Sequence, residues 1–83
     1  MLFMVELQYS HEQRDVALDY FWKHGSTHYT GNATIQGAWV ATQDLIAFAL
    51  VDAVDPDTVA KACAPLEQFG TVIYREVTSV DQI

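Results

Sequence analysis

The chain has 83 residues, 51% of them hydrophobic, and its four basic and eleven acidic side chains give a formal net charge of −7. A chain of this length buries one small core, so we expect a single domain over residues 1–83. The negative charge argues against nucleic acid and anionic membranes as partners, because both attract positively charged surfaces.

The amino end and the lack of a long apolar run favour a cytoplasmic location, whereas the single cysteine does not decide the compartment. Cys63 is the single cysteine and cannot form a disulfide within the chain. No basic stretch precedes the apolar residues 2–5, and Glu6 interrupts them, which is unlike a signal peptide. No apolar run approaches the roughly 20 residues that span a bilayer.

The first two predicted elements are a strand over residues 2–9 and a helix over residues 12–24. Every odd-numbered position of the strand from residue 3 onward is apolar, which is the period-two pattern of a half-buried strand. Ser10 followed by Gln13 matches a capping box at a helix start. Gly25 is predicted to end the helix, because glycine is common just after the last helical residue.

A loop and a hairpin follow. Residues 25–32 are rich in Gly, Ser, Thr and Asn, a composition that favours a loop. Residues 33–41 and 45–52 are rich in strand-forming types, and the polar residues 42–44 between them suit a hairpin turn. The two segments therefore predict an antiparallel pair of strands.

A second helix and a last strand complete the chain. Asp55 is a capping carboxylate and Pro56 suits the first position of a helix. Pro65 lacks an amide hydrogen and should kink or end this helix. Gly70 marks a break in the chain, and a last strand is predicted over residues 71–80.

The resulting order is βαββαβ, which predicts an α+β fold of the ferredoxin-like kind. In that fold a four-stranded antiparallel sheet carries both helices on one face, with the first and third strands central. Residues 45–51 are apolar on both faces of the third strand, yet two helices cover only one face. We therefore expect a symmetric homodimer in which a second copy covers the other face.

Four segments carry a resemblance to a known group of proteins. They are Met-Leu-Phe-Met-Val-Glu at residues 1–6, Trp39 with Val40, Ala-Phe-Ala-Leu-Val-Asp at residues 47–52, and Arg-Glu-Val-Thr-Ser-Val at residues 75–80. Together they resemble a family of short bacterial proteins of unassigned function. That family in turn is similar to the dimeric α/β-barrel superfamily.

The resemblance implies two ferredoxin-like units paired sheet to sheet, with a ligand in a cleft between sheet and helices. The superfamily includes antibiotic-biosynthesis-type and haem-degrading monooxygenases, lactone isomerases and stress-responsive barrel proteins. Haem-degrading members bind haem through a histidine on the second helix, and this chain has none there. We therefore expect no haem and no other cofactor.

Four side chains are predicted to line a ligand site. Glu6 and Gln8 lie on the strand face opposite the apolar stripe, and a partly desolvated carboxylate is a candidate general base. A hydrogen-bonded or inter-subunit role for Glu6 needs no catalysis. Trp39 and Tyr74 offer broad apolar surfaces with one polar group each, which suit a flat ligand, a core or an interface.

Two histidines complete the set of candidates. His24 is a further ligand-binding candidate, and His28 is a second weak candidate for proton transfer. Gly25 should end the helix between them, so a helix-end cation and an exposed loop histidine explain the pair, and we predict no metal site.

Three further residues have explanations that need no site. Trp22 suits a core or an interface as well as a flat ligand. Arg75 could pair with a surface acid as easily as hold a ligand carboxylate, and Cys63 behaves as a small buried hydrophobe. Three functions stay open from the sequence: a homodimer that binds a small, partly apolar molecule, a cofactor-independent monooxygenase or isomerase, and a structural dimer without a ligand.

Overall fold

The computed structural model describes residues 1–24 and 33–83, and within this part only the backbone of Phe21, Trp22 and His24. In chain order the elements are β1 (Leu2–Tyr9), α1 (Arg14–His24), β2 (Thr34–Val40), β3 (Ile46–Asp52), α2 (Pro56–Cys63), a 3-10 helix (Ala64–Gln68), β4 (Gly70–Val77) and a 3-10 turn (Val80–Gln82). The loop predicted at residues 25–32 lies outside the described residues.

The four strands form one antiparallel sheet in the order β2-β3-β1-β4. The first and third strands are therefore central, as the βαββαβ order predicts. With two helices accompanying the sheet, the structure confirms the α+β, ferredoxin-like fold.

The core lies between the sheet and the helices. From β1 it takes the predicted odd-numbered stripe, whose most buried member is the fully enclosed Leu7. β3 contributes Ala47 and Ala49, whose small side chains let a helix approach the sheet closely. α2 contributes Val59, also fully enclosed, and Cys63. The helices of the same chain thus cover the central residues of one face of the sheet.

Further core residues connect α1 with the segment before β4. Ala17 of α1 is fully buried in the same cluster. The rings of Tyr20 and Phe69 lie 5.4 Å apart at an angle of 56°, a tilted arrangement that aromatic pairs favour.

Two element boundaries differ from the sequence prediction by more than one residue. α1 begins at Arg14 because residues 11–13 form a turn, in which Ser10 Oγ accepts the backbone N–H of Gln13 at 3.1 Å. β4 ends at Val77, three residues early. After it, Ser79 Oγ accepts the N–H of Asp81 at 3.3 Å and begins a 3-10 turn.

The predicted cap of α2 is confirmed. Asp55 Oδ1 accepts the Thr58 hydroxyl at 2.7 Å and the Thr58 backbone N–H at 2.8 Å. These hydrogen bonds lower the pKa of the Asp55 carboxyl, because they favour its charged form. α2 ends at Cys63, and Pro65 lies in the 3-10 helix that follows, in agreement with its predicted effect.

Candidate functional site

The side of the sheet that faces away from the helices, here called the open face, carries most of the predicted site. Residues directly opposite each other on antiparallel strands project to the same side. The strand register therefore places Trp39, Phe48, Glu6 and Ile73 in one row across the sheet. The next row holds Gly37, Leu50, Met4 and Arg75.

Around Glu6 the open face is mainly apolar, and its side chains there are only half-buried. Ile46, Phe48 and Leu50 of β3 keep intermediate exposure, whereas Ala47 and Ala49, which alternate with them, are buried under the helices. The expectation that β3 is apolar on both faces is therefore confirmed. Apolar side chains that are grouped in this way and left half-exposed mark a candidate interaction surface.

Glu6 is the polar group at the centre of this surface. Its side chain lies between Phe48 and Ile73 in the row and is half-buried. The Gln8 amide Nε2 donates a hydrogen bond to Glu6 Oε2 at 2.8 Å. The bond orients the carboxylate, which keeps further acceptor capacity because an ionised carboxylate accepts several hydrogen bonds.

Trp39 forms an aromatic platform at the edge of the same row. A Cβ placed on Gly37 would lie 2.7 Å from Cη2 of the Trp39 ring. The indole therefore extends along β2 over the glycine, which leaves room for it. Trp39 remains 55% exposed, so a substantial part of its surface is open to a ligand or another protein.

Arg75 is the positive group of the open face. It stands opposite Met4 on β1 and is exposed. Within residues 1–24 and 33–83 its side chain has no hydrogen-bond or ion-pair partner. Asp52, at the end of β3, is already held by the amino group of Met1 at 3.2 Å.

Tyr74 does not belong with Glu6, Gln8 and Trp39. It stands opposite Val5, whose side chain is buried under the helices, and so lies on the other side of the sheet. There it lines a groove of about 150 Å³ with Cys63 and Glu67. The structure thus brings together three of the four predicted strand residues and separates the fourth.

The space between the sheet and α2 is nearly filled. A cavity of about 10 Å³ remains, lined only by apolar side chains and the thiol of Cys63. This is about the volume of a single water molecule's probe sphere. Burial, together with the charge of Glu67, raises the pKa of the Cys63 thiol to about 11. The interior beneath α2 therefore offers no room for a ligand.

A cleft at the hairpin end of the sheet was not predicted from the sequence. It measures about 540 Å³ and lies between the start of α1, with His11 and Arg14, and the turn that joins β2 to β3. Its polar side chains are all exposed, and the Arg14 guanidinium contacts Asp15 Oδ1 at 3.3 Å. Water competes for every contact in such a cleft, so we do not place the site there.

The remaining candidates cannot be placed in the site. His28 lies outside the described residues, as do the side chains of His24 and Trp22. Within the described part of the chain, no group of three His, Cys, Asp or Glu side chains could hold a metal ion. No described helix has the length and apolar character needed to cross a membrane.

Comparison with known proteins identifies one family. A family model described as a domain of unknown function, DUF3303, matches residues 1–83. No curated protein and no solved structure matches the chain.

Proposed function

Because the chain belongs to the DUF3303 family of domains of unknown function, we propose a function from the open face itself. Two copies pair through their open faces, and the pair holds a small, partly apolar molecule beside Glu6, Gln8 and Trp39. The observation that carries the proposal is the row of Trp39, Phe48, Glu6 and Ile73, which is apolar, half-covered and interrupted by one oriented carboxylate.

The pairing is supported by the hydrophobic effect. Covering apolar surface contributes about 25 cal/mol per Å². An 83-residue domain is stabilised by only about 5 to 15 kcal/mol. Two sheets packed face to face, about 10 Å apart, interdigitate their side chains. This arrangement covers the half-exposed Phe48 and Leu50 without any further element.

The class of ligand follows from the same row. The Trp39 ring and Phe48 offer apolar surface for a flat molecule, and the Glu6 carboxylate accepts a hydrogen bond from a donor on that molecule. Gln8 holds the carboxylate in position through its 2.8 Å hydrogen bond. We therefore propose a planar, mostly apolar ligand with at least one N–H or O–H group.

Analytical ultracentrifugation tests the pairing. We expect a dimer at micromolar concentration for the natural chain. Phe48→Lys should give a monomer, because its charge would be buried in the interface. Val54→Lys is the control, since Val54 is 57% exposed and lies outside the sheet. A natural chain that sediments only as a folded monomer would exclude the pairing.

A thermal-shift screen tests ligand binding. The library contains planar aromatic molecules in matched pairs with and without a donor, such as indole and N-methylindole. We expect the donor-bearing member to raise the melting temperature more. Glu6→Gln should reduce this difference, and Thr71→Ala, on the outer strand of the same face, should not. The binding proposal fails if no compound raises the melting temperature.

A further inference from the structure

We propose that in the paired molecule the Arg75 guanidinium of each copy contacts the Glu6 carboxylate of its partner. This inference rests on the proposed pairing through the open face. It adds the register in which the two faces meet, and it makes the site beside Glu6 incomplete without the second copy.

Four residues on the neighbouring strands β1 and β4 surround the proposed contact. Glu6 stands opposite Ile73, and Met4 stands opposite Arg75. These residues occupy the corners of a quadrilateral, with the two charges on one diagonal and the two apolar side chains on the other. Diagonal neighbours in an antiparallel pair lie roughly 7–8 Å apart. Glu6 and Arg75 form no ion pair within one copy.

A single two-fold axis can place both Glu6 and Arg75 next to an opposite charge of the partner. Paired sheets are related by an axis that lies between them, and in such an interface each contact occurs twice. If the axis follows the Met4–Ile73 diagonal, it brings Glu6 of each copy close to the partner's Arg75, within reach of the long arginine side chain. Each carboxylate then faces the partner's guanidinium, while Met4 faces the partner's Met4 and Ile73 faces the partner's Ile73.

Charge complementarity favours this register. Covering the open face desolvates Arg75, and a buried charge without a partner is strongly unfavourable. Arg75 has no partner among the described residues of its own copy. Glu6 uses Oε2 to accept the Gln8 amide, so Oε1 is free to accept the guanidinium. Registers that bring Arg75 onto the partner's Arg75 are disfavoured by repulsion.

A charge exchange tests the contact. We expect Arg75→Glu and Glu6→Arg each to raise the dimer dissociation constant by about thirtyfold or more, since each places like charges together. The double variant restores opposite charges and should recover most of the loss. Lys61→Glu is the control, because Lys61 lies on α2, away from the open face. A double variant no better than the singles overturns the inference.

Cysteine cross-linking tests the axis by an independent route. Ile73→Cys should be linked between subunits by a short bifunctional thiol reagent, because the axis brings this position against itself across sheets about 10 Å apart, which is beyond the reach of a direct disulfide. Thr71→Cys lies two residues along the same face and should not cross-link. The buried Cys63 contributes little background. If the natural chain is a dimer but Ile73→Cys does not cross-link, this register is wrong and the pairing stands. If the chain is a monomer, both proposals fail.

Discussion

Gly70 is a residue of β4 that lies close against the backbone of β1. A Cβ at this position would clash with the carbonyl oxygen of Gln8 and lie 2.9 Å from Cα of Tyr9. Both neighbours are backbone atoms that cannot move without disturbing the strand pair. We therefore expect Gly70→Ala to lower the free energy of unfolding by about 2 kcal/mol, measured by urea denaturation.

Gly37→Ala is the matched control at the residue scale. There the added Cβ would meet the ring of Trp39, a side chain that can rotate away. We expect a stability change of no more than about 0.5 kcal/mol, because Gly37 is only half-buried and the ring can move aside, together with a changed tryptophan fluorescence. Equal losses for the two variants would contradict the assignment of Gly70 as a close-approach position.

Cys63 gives a prediction that depends on pH. Burial raises the pKa of its thiol to about 11, above the ordinary value of 9.0. The folded state therefore favours the neutral thiol, and this contribution to stability is complete below pH 9 and lost as the pH rises toward 11.

Denaturation curves of the natural chain and Cys63→Ala between pH 8 and pH 11 check this effect. The stability advantage of the natural chain should shrink over that range. Iodoacetamide should also modify the folded chain at least about tenfold more slowly than the unfolded chain at pH 8. A rate that is the same in both states would show that the thiol is accessible.

At the scale of elements, α2 depends on its amino-terminal cap. Asp55 accepts two hydrogen bonds from Thr58, and they lower the pKa of its carboxyl. A lowered pKa means that the stabilisation is present above the ordinary pKa of 3.8 and is lost as the pH falls through the folded value. We expect Asp55→Ala to lower the melting temperature by a few degrees at pH 7 and to have a smaller effect at pH 2.

Two variants separate the cap from simple charge removal. Asp55→Ser keeps a side-chain oxygen for Thr58 and should recover most of the melting temperature. Asp57→Ala removes a carboxylate from the first turn of α2 without touching the cap. If Asp57→Ala costs as much as Asp55→Ala, the helix dipole and not the capping bonds accounts for the effect.

The elements were predictable where one local signal dominates. The alternation in β1, the cap at Asp55 and the break at Pro65 each act over a few residues, and the structure confirms them. The face of Tyr74 was not predictable, because β4 carries apolar residues on both sides and its alternation favours neither. Only pairing with β1 shows that Tyr74 lies opposite Val5.

The candidate site was predictable in the same limited way. Glu6 and Gln8 share a face by strand periodicity alone, so the sequence places them together. The alignment of Trp39 with Glu6 depends on how β3 pairs with β1 and with β2. The register between β2 and β3 shifts at an irregularity between Ile35 and Gly37, which the sequence does not reveal. The cleft that joins His11 to the hairpin turn arises from two segments about 30 residues apart, which no local pattern reveals.

At the scale of the whole molecule, the two sides of the sheet are covered to different extents. On the helix side the helices cover the central residues and leave a cavity of only about 10 Å³ beneath α2. On the open face the apolar side chains around Glu6 stay half-exposed. If folding and pairing are coupled, the melting temperature rises with protein concentration, since mass action favours the paired state.

Trp39 and Val40 allow this coupling to be tested with neighbouring residues. They are 55% and 43% exposed, and successive strand residues point to opposite sides, so Trp39 lies on the open face and Val40 on the helix side. We expect Trp39→Lys to remove most of the concentration dependence of the melting temperature, because the new charge opposes pairing. Val40→Lys should leave that dependence intact. Calorimetry from about 5 µM to 500 µM distinguishes the two results. Loss of the dependence in both variants, or in neither, would contradict pairing through the open face.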